Sequence, residues 1–238
     1  MIHKSQASSL REKNFRETAK SLRESVTSDQ LIIQTLYSYD ECNKAANQLT
    51  GRLRGWYVHA NPELIFRIKD NKALIPAILK DTTKSQLGIP FTGHDKTEVL
   101  NLAKQCARLF EFEQELMNHI EHQMKAHLRN VYTLAGAQIG ARLLSIAGSL
   151  KNLAEMPGST IQLLGAEKAL FRHLKNKTMR PPKYGILHEH PFIAKADKKR
   201  HGKIARALGD KIAIAARIDF FGGEFMGNKL LKQVEARR

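Results

Sequence analysis

The stretch DKTEVLNLAKQCARLFEFEQELMNHIEHQMKAHL, residues 95–128, decides the fold. Val99, Leu102, Cys106, Leu109, Phe112, Leu116, Ile120, Met124 and Leu128 recur at steps of three and four, the period of one helical face. Asp95 stands where an N-cap belongs, with Glu98 at the capping-box position, so a long helix is predicted to start there. A matching stripe lies upstream. From Leu10 to about Tyr57 there is no proline, and Ile32, Leu36, Tyr39, Cys42, Ala46, Leu49, Leu53 and Trp56 line one side of a long helix with possible breaks. Asn61-Pro62 ends that pattern. Shorter helical segments follow at Glu63–Asp70 and at Ala73–Lys80, which contains Pro76; Thr82–Asp95, with Gly88, Pro90 and Gly93, reads as a loop. Two long amphipathic helices joined by such a turn region imply an antiparallel hairpin. Its stripes can bury against a second copy or within an ordinary bundle of one chain.

From Asn130 the texture changes to alanine- and glycine-rich helices with basic faces. Gly136, Gly140 and Gly148 punctuate the first of these, and Pro157-Gly158 ends the segment. Ser159 is placed to cap the next helix, with Gln162 three residues on. Lys175–Pro191 is loop-like, with Pro181-Pro182 and Pro191, and a last helix is predicted from about Lys198 to Arg217. Little in the chain alternates as a half-buried strand must. The fold class is all-α, divided into a hairpin arm, 1–129, and a compact helical domain, 130–238.

Charge points to the kind of partner. The 238 residues carry a formal net charge of +16. Residues 1–150 hold 20 Lys and Arg against 15 Asp and Glu, whereas residues 151–238 hold 19 against 8. A basic excess concentrated in the shorter part is the electrostatic footprint of a polyanion binder. Cys42 and Cys106, alone and both in helical stretches, make no disulfide framework and fit a reducing compartment. Lys4, Arg11, Lys13 and Arg16 break up any apolar leader, and no apolar run reaches the ~20 residues of a membrane helix. The expectation is a soluble intracellular protein.

The helix opened by Ser159 places Ile161, Leu164, Phe171 and Leu174 near one side and Lys168, Arg172 and Lys175 on another. Three cations at i, i+4 and i+7 can track a phosphate backbone. The alternative is a core Phe171 beside a solvated charged face. On the last helix Lys203, Arg206, Asp210 and Arg217 project together, while Ile204, Leu208, Ile212, Ala215 and Ile218 take the inner face. Arg217 has a second possible role as a bridge to Asp210 or Asp219. Enzyme signatures are missing: no dinucleotide-binding glycines, no Walker loop, no His-Glu-x-x-His. His188-Glu189-His190 and the pair His119 and His122 lack a third ligand at useful spacing, so no metal is expected. His188 is read instead as hydrogen-bonded or RNA-proximal.

The segment Gly165-Ala166-Glu167-Lys168-Ala169-Leu170-Phe171-Arg172 resembles the signature of the Nop domain, the RNA-binding module of box C/D ribonucleoprotein scaffold proteins. Gly140–Leu144, Ala147–Leu153, Pro182–Gly185 and Gly202–Leu208 are similar to the family in the same order, and the likeness covers most of the chain. The resemblance implies a coiled-coil arm that forms a homodimer, followed by a helical Nop domain. It implies that Glu167 and Lys168 face a kink-turn in a box C/D guide RNA and its ribosomal-type kink-turn-binding protein. Leu170, Phe171 and Arg172 would cap the base-paired stem, with Lys175, His188, Lys203, Arg206 and Arg217 as further contacts. An exposed Phe can stack on a terminal pair, and a guanidinium suits phosphate and stacked bases. In the family, the assembly positions fibrillarin for guide-directed 2′-O-ribose methylation of rRNA or tRNA. That chemistry and its S-adenosylmethionine belong to the partner; this chain is expected to be no enzyme and to hold no cofactor.

Family scaffolds begin with a globular domain that holds fibrillarin, whereas a short lead precedes the arm here. A truncated or split form, or a second polypeptide, would account for that. A lysine- and glutamate-rich tail does not follow the domain, which leans toward an archaeal-like, cytoplasmic setting; a eukaryotic one would be nucleolar. Two rival readings are a spliceosomal Nop-domain protein and a helical protein–protein adaptor whose charge serves solubility. The intact Ala169–Arg172 argues against the spliceosomal branch.

Overall fold

A computed structural model describes residues 2–81, 85–89 and 91–237. Thr82–Lys84 and Pro90, read above as loop, lie outside the described residues. Among these, twelve α-helices and one 3-10 turn occur, with no strand. The chain divides into two compact units: Thr35–Ile120, and Met1–Gln34 with Glu121–Arg238.

The long helix expected from Leu10 to Tyr57, with possible breaks, forms as α1 (Ile2–Ser25) and α2 (Ser28–Tyr57), the break falling at Val26-Thr27. Next come α3 (Pro62–Arg67), α4 (Asn71–Leu79) and α5 (Gly93–His127). Within the Thr35–Ile120 unit, α2 and α5 run antiparallel: Cys42 Sγ donates to the Leu109 carbonyl and Asn43 Nδ2 to Glu113, while Leu53 shares a core with Val99, Ala103 and Cys106. The short α3 and α4 close the turn. Asn61 and Asp70 cap them by accepting from the Leu64 and Ala73 amides. Arg54 fastens the turn to α2, its guanidinium donating to the carbonyls of Ile65, Ile68 and Lys69 as α3 runs out. Glu113 is buried in this unit and paired with Lys72 at 2.9 Å.

The second unit adds α6 (Arg129–Ala147), α7 (Leu150–Glu155), α8 (Gly158–Leu163) and α9 (Glu167–Lys175). It ends with a 3-10 turn (Ile186–Glu189), α10 (Pro191–Ala194), α11 (His201–Phe221) and α12 (Gly227–Glu235). The final helix of the sequence reading, Lys198–Arg217, is thus shifted to His201–Phe221 and followed by one more. At its centre, α11 buries Ile204, Ala207, Leu208, Ile212, Ala215 and Ala216 against α6, α7 and α8. Gly158 and Gly209 let α8 and α11 approach closely: a methyl group on Gly209 would lie 2.6 Å from the Gly158 carbonyl oxygen. Asp219 of α11 caps α6, accepting from the Asn130 and Val131 amides and from Asn130 Nδ2. Within the helix, α6 is broken at Gly136, whose φ of 74° and ψ of 175° interrupt the helical ladder.

Candidate nucleic-acid interface

A single helix from Ser159 to Lys175 was the expectation, and the structure corrects it. Helix α8 stops at Leu163, Ser159 is not its cap, and α9 begins afresh at Glu167. The cause is Gly165, held at φ +85°, where a side chain is strained. That conformation is fixed from twenty residues downstream. The Gly185 amide donates to the Gln162 carbonyl and the Ile186 amide to the Leu164 carbonyl, both at 2.8 Å, and Gln162 Nε2 donates to the Lys183 carbonyl. A Cβ on Gly185 would sit 1.8 Å from the Leu164 oxygen, so only glycine permits this lacing.

Beyond the Gly165 bend α9 has no buried residue. Ile161 and Leu164 anchor the preceding segment in the core, but Phe171 is 66% exposed and Leu174 52%. Phe171 is therefore not part of the core of this chain. Lys168, Arg172 and Lys175 are exposed along one side of α9, and Leu170 is half-buried. Glu167, in the first turn, accepts from the Gly165 amide at 2.6 Å, a carboxylate placed where the helix dipole favours it. Among the described residues, no carboxylate is ion-paired with any cation from Lys168 to Arg206.

The segment laced to Leu164 carries the next group of residues. Tyr184 lies parallel to His188, ring centroids 6.2 Å apart, and His188 Nδ1–H donates to the Gly185 carbonyl, which leaves its exposed ring fixed in orientation. The Tyr184 hydroxyl donates to His201 Nδ1 at the start of α11, while His201 Nε2–H donates to the Ala196 carbonyl. One turn on, Lys203 and Arg206 are exposed beside buried neighbours. Arg217 differs: its Nε donates to the Ala154 carbonyl at 2.9 Å, tying α11 to α7 in place of the bridges to Asp210 or Asp219 considered from the sequence. Sequence reasoning missed Tyr184 as an organiser, and His190 as a buried one. Their signal was only the Pro-Lys-Tyr-Gly match and a histidine preceding a proline.

All-helical architecture with a solvated cationic helix defines a class with many members, and comparison narrows it. A family model named Nop, described as "snoRNA binding domain, fibrillarin", matches residues 69–238. The chain belongs to the Nop family. An uncharacterised NOP5 family protein of Methanocaldococcus jannaschii is 37% identical over 234 residues, covering 88% of this chain and 56% of the relative. Human nucleolar protein 56 is 35% identical over 242 residues, covering 88% and 40%. Nucleolar protein 58 of Schizosaccharomyces pombe is 36% identical over 216 residues, covering 80% and 42%. The chain thus spans about half the length of such relatives. The crystal structure of a fibrillarin/Nop5p complex contains a chain with TM-score 0.61 and 26% identity, covering 96% of this chain and 78% of the other.

Proposed function

We propose that this chain is a non-catalytic RNA-binding scaffold subunit of a box C/D ribonucleoprotein supporting guide-directed 2′-O-ribose methylation. The observation that carries the reading is α9: a helix of the family's signature segment, turned out by Gly165, whose Lys168, Arg172 and Lys175 have no carboxylate partner among the described residues and stand beside an exposed Phe171. Cations without carboxylate partners keep their full attraction for phosphate, and an exposed ring offers a stacking face. On this reading Glu167 and Lys168 meet the kink-turn and its binding protein. Leu170, Phe171 and Arg172 cap the guide stem, and Lys175, His188, Lys203, Arg206 and the free end of Arg217 add contacts. Residues 130–238 form the RNA-binding Nop domain, and residues 1–129 the arm through which two copies pair.

Fibrillarin is the partner that brings the methyl-transfer chemistry and its S-adenosylmethionine. Its recruitment by this chain is inferred from the family description and from the fibrillarin/Nop5p complex. In a eukaryotic setting the assembly belongs in the nucleolus, as the names of the relatives indicate; in an archaeal one it is cytoplasmic. The test is a gel shift with box C/D RNA, omitting in turn the kink-turn-binding protein and fibrillarin, at rising salt. Replacing Lys203 and Arg206 together with Ala should weaken binding and lower the salt slope by about two phosphate contacts while leaving the fold intact. Absence of any RNA binding that weakens with salt refutes the reading in favour of a protein–protein adaptor, and a double variant with undiminished affinity refutes the role of Lys203 and Arg206.

A further inference from the structure

His190 is 7% exposed and uses both ring nitrogens. Its Nε2–H donates to the Leu134 carbonyl at 2.9 Å, and its Nδ1 accepts from the Phe192 amide at 3.2 Å, capping α10. The Phe192 ring stands edge-on to the imidazole, centroids 5.0 Å apart. The Leu134 carbonyl is no ordinary acceptor, because it lies just before the break at Gly136, where the helix loses the downstream amides that would bond its last carbonyls. The imidazole supplies a donor there. One neutral ring therefore joins the break in α6 to the start of α10.

We propose that His190 is a positioning residue for the RNA-facing surface: in its neutral form it latches residues 184–194 onto α6, and protonation opens the latch. A second proton must go to Nδ1, turning the acceptor for the Phe192 amide into a donor that faces it. The opened segment is the one whose Gly185 and Ile186 amides hold the Gly165 bend and whose His188 lies on the candidate RNA surface. The part of the inference that concerns RNA rests on the proposed function; the latch itself does not.

The surroundings agree with this assignment. Burial pushes the His190 pKa below its ordinary value of 6.5, outweighing the Leu134 bond, which acts the other way. Charged or titratable groups on the elements around it are His188 and Glu189 on the 3-10 turn, Arg129, Tyr132 and Arg142 on α6, and His201, Lys203, Arg206, Asp210, Lys211, Arg217 and Asp219 on α11; α10 has none. None of them contributes a charge–charge influence to the shift. With the folded pKa depressed, the latch contributes stability that is present above pH 6.5 and lost as pH falls through the lower folded value.

The test begins on the free protein. Amide-exchange protection at Phe192, Ile193 and Ala194, corrected for intrinsic rate, is followed from about pH 7.5 to 5 together with the His190 ring resonances. Protection should fall by about tenfold per unit below the ring's own pKa while Leu208 and Ile212 stay protected. His190→Asn, which can keep a side-chain acceptor for the Phe192 amide but cannot titrate, should hold protection flat across that range. A ring that titrates at or above the ordinary value, or protection at 192–194 that is indifferent to its protonation, overturns the proposal even in the wild type. A second arm measures the affinity of a box C/D RNA at fixed neutral pH. His190→Ala should lose several-fold affinity, and His190→Asn should recover it. Recovery of melting temperature by the Asn variant without recovery of affinity reduces His190 to a packing role. If no variant, nor the wild type, binds RNA while the exchange arm behaves as expected, the proposed function fails and the latch stands.

Discussion

At the scale of single residues, the exposed Phe171 is the sharpest case. A large apolar ring held two-thirds in water contributes little to folding, and it is free to stack on a ligand. Phe171→Ala should change the free energy of unfolding by about 0.5 kcal/mol or less, as a surface substitution does, yet weaken assembly on a guide stem. Urea unfolding beside the gel shift checks both halves; a loss of about 3–5 kcal/mol would place the ring in a core. The same scale shows what the sequence could and could not reveal. Lys168, Arg172 and Lys175 fall on one face by spacing alone, and the structure leaves them there, exposed. That Phe171 leaves the side of Ile161 and Leu164 was not legible from periodicity, because a one-helix count carries the apolar side straight through Gly165. Arg217 shows the complementary blindness: nothing local announces that its Nε spends itself on a carbonyl 63 residues away.

At the scale of elements, breaks were harder to read than stripes. Ile32, Leu36, Ala46, Leu53, Val99, Cys106, Ile120, Met124 and Leu128 are buried as their steps of three and four foretell. Leu49, Trp56 and Phe112, on the same stripes, remain substantially exposed, since a hairpin of two helices offers a single facing seam. The pause between α8 and α9 depends on the pairing of Leu164 with Ile186, a contact distant in sequence. A glycine inside a helical period looks like a mere weakness until that pairing is known. Gly185→Ala tests the lacing, for its methyl group would have to displace the Leu164 backbone. We expect a destabilisation of about 1–3 kcal/mol, the usual range for overpacking, with the amides of Gly165 and Ile186 losing protection from exchange before those of α11. A variant as stable as the parent would show that the bend needs no such support.

At the scale of the whole molecule, acid should act on the two units through different groups. In the Thr35–Ile120 unit, burial pushes the Glu113 carboxyl up, but Lys72 and Asn43 more than compensate and hold it below its ordinary value of 4.5. Its contribution is therefore present above that value and lost as pH falls through the depressed one. The His190 contribution in the other unit goes earlier, below 6.5. Thermal unfolding between about pH 7 and 3 should show a first decline that His190→Asn abolishes and a later one that Glu113→Gln flattens. A single decline untouched by either substitution would refute the assignment. Helix α9 has no fully buried residue. With no fully buried side chain to anchor it, α9 can open locally at small cost, and the bonds after its basic residues are those trypsin cleaves. Brief digestion should nick the free chain between Lys168 and Lys177 as readily as in the exposed α1, and a bound guide should shield the α9 bonds, so a protease can report where the ligand lies.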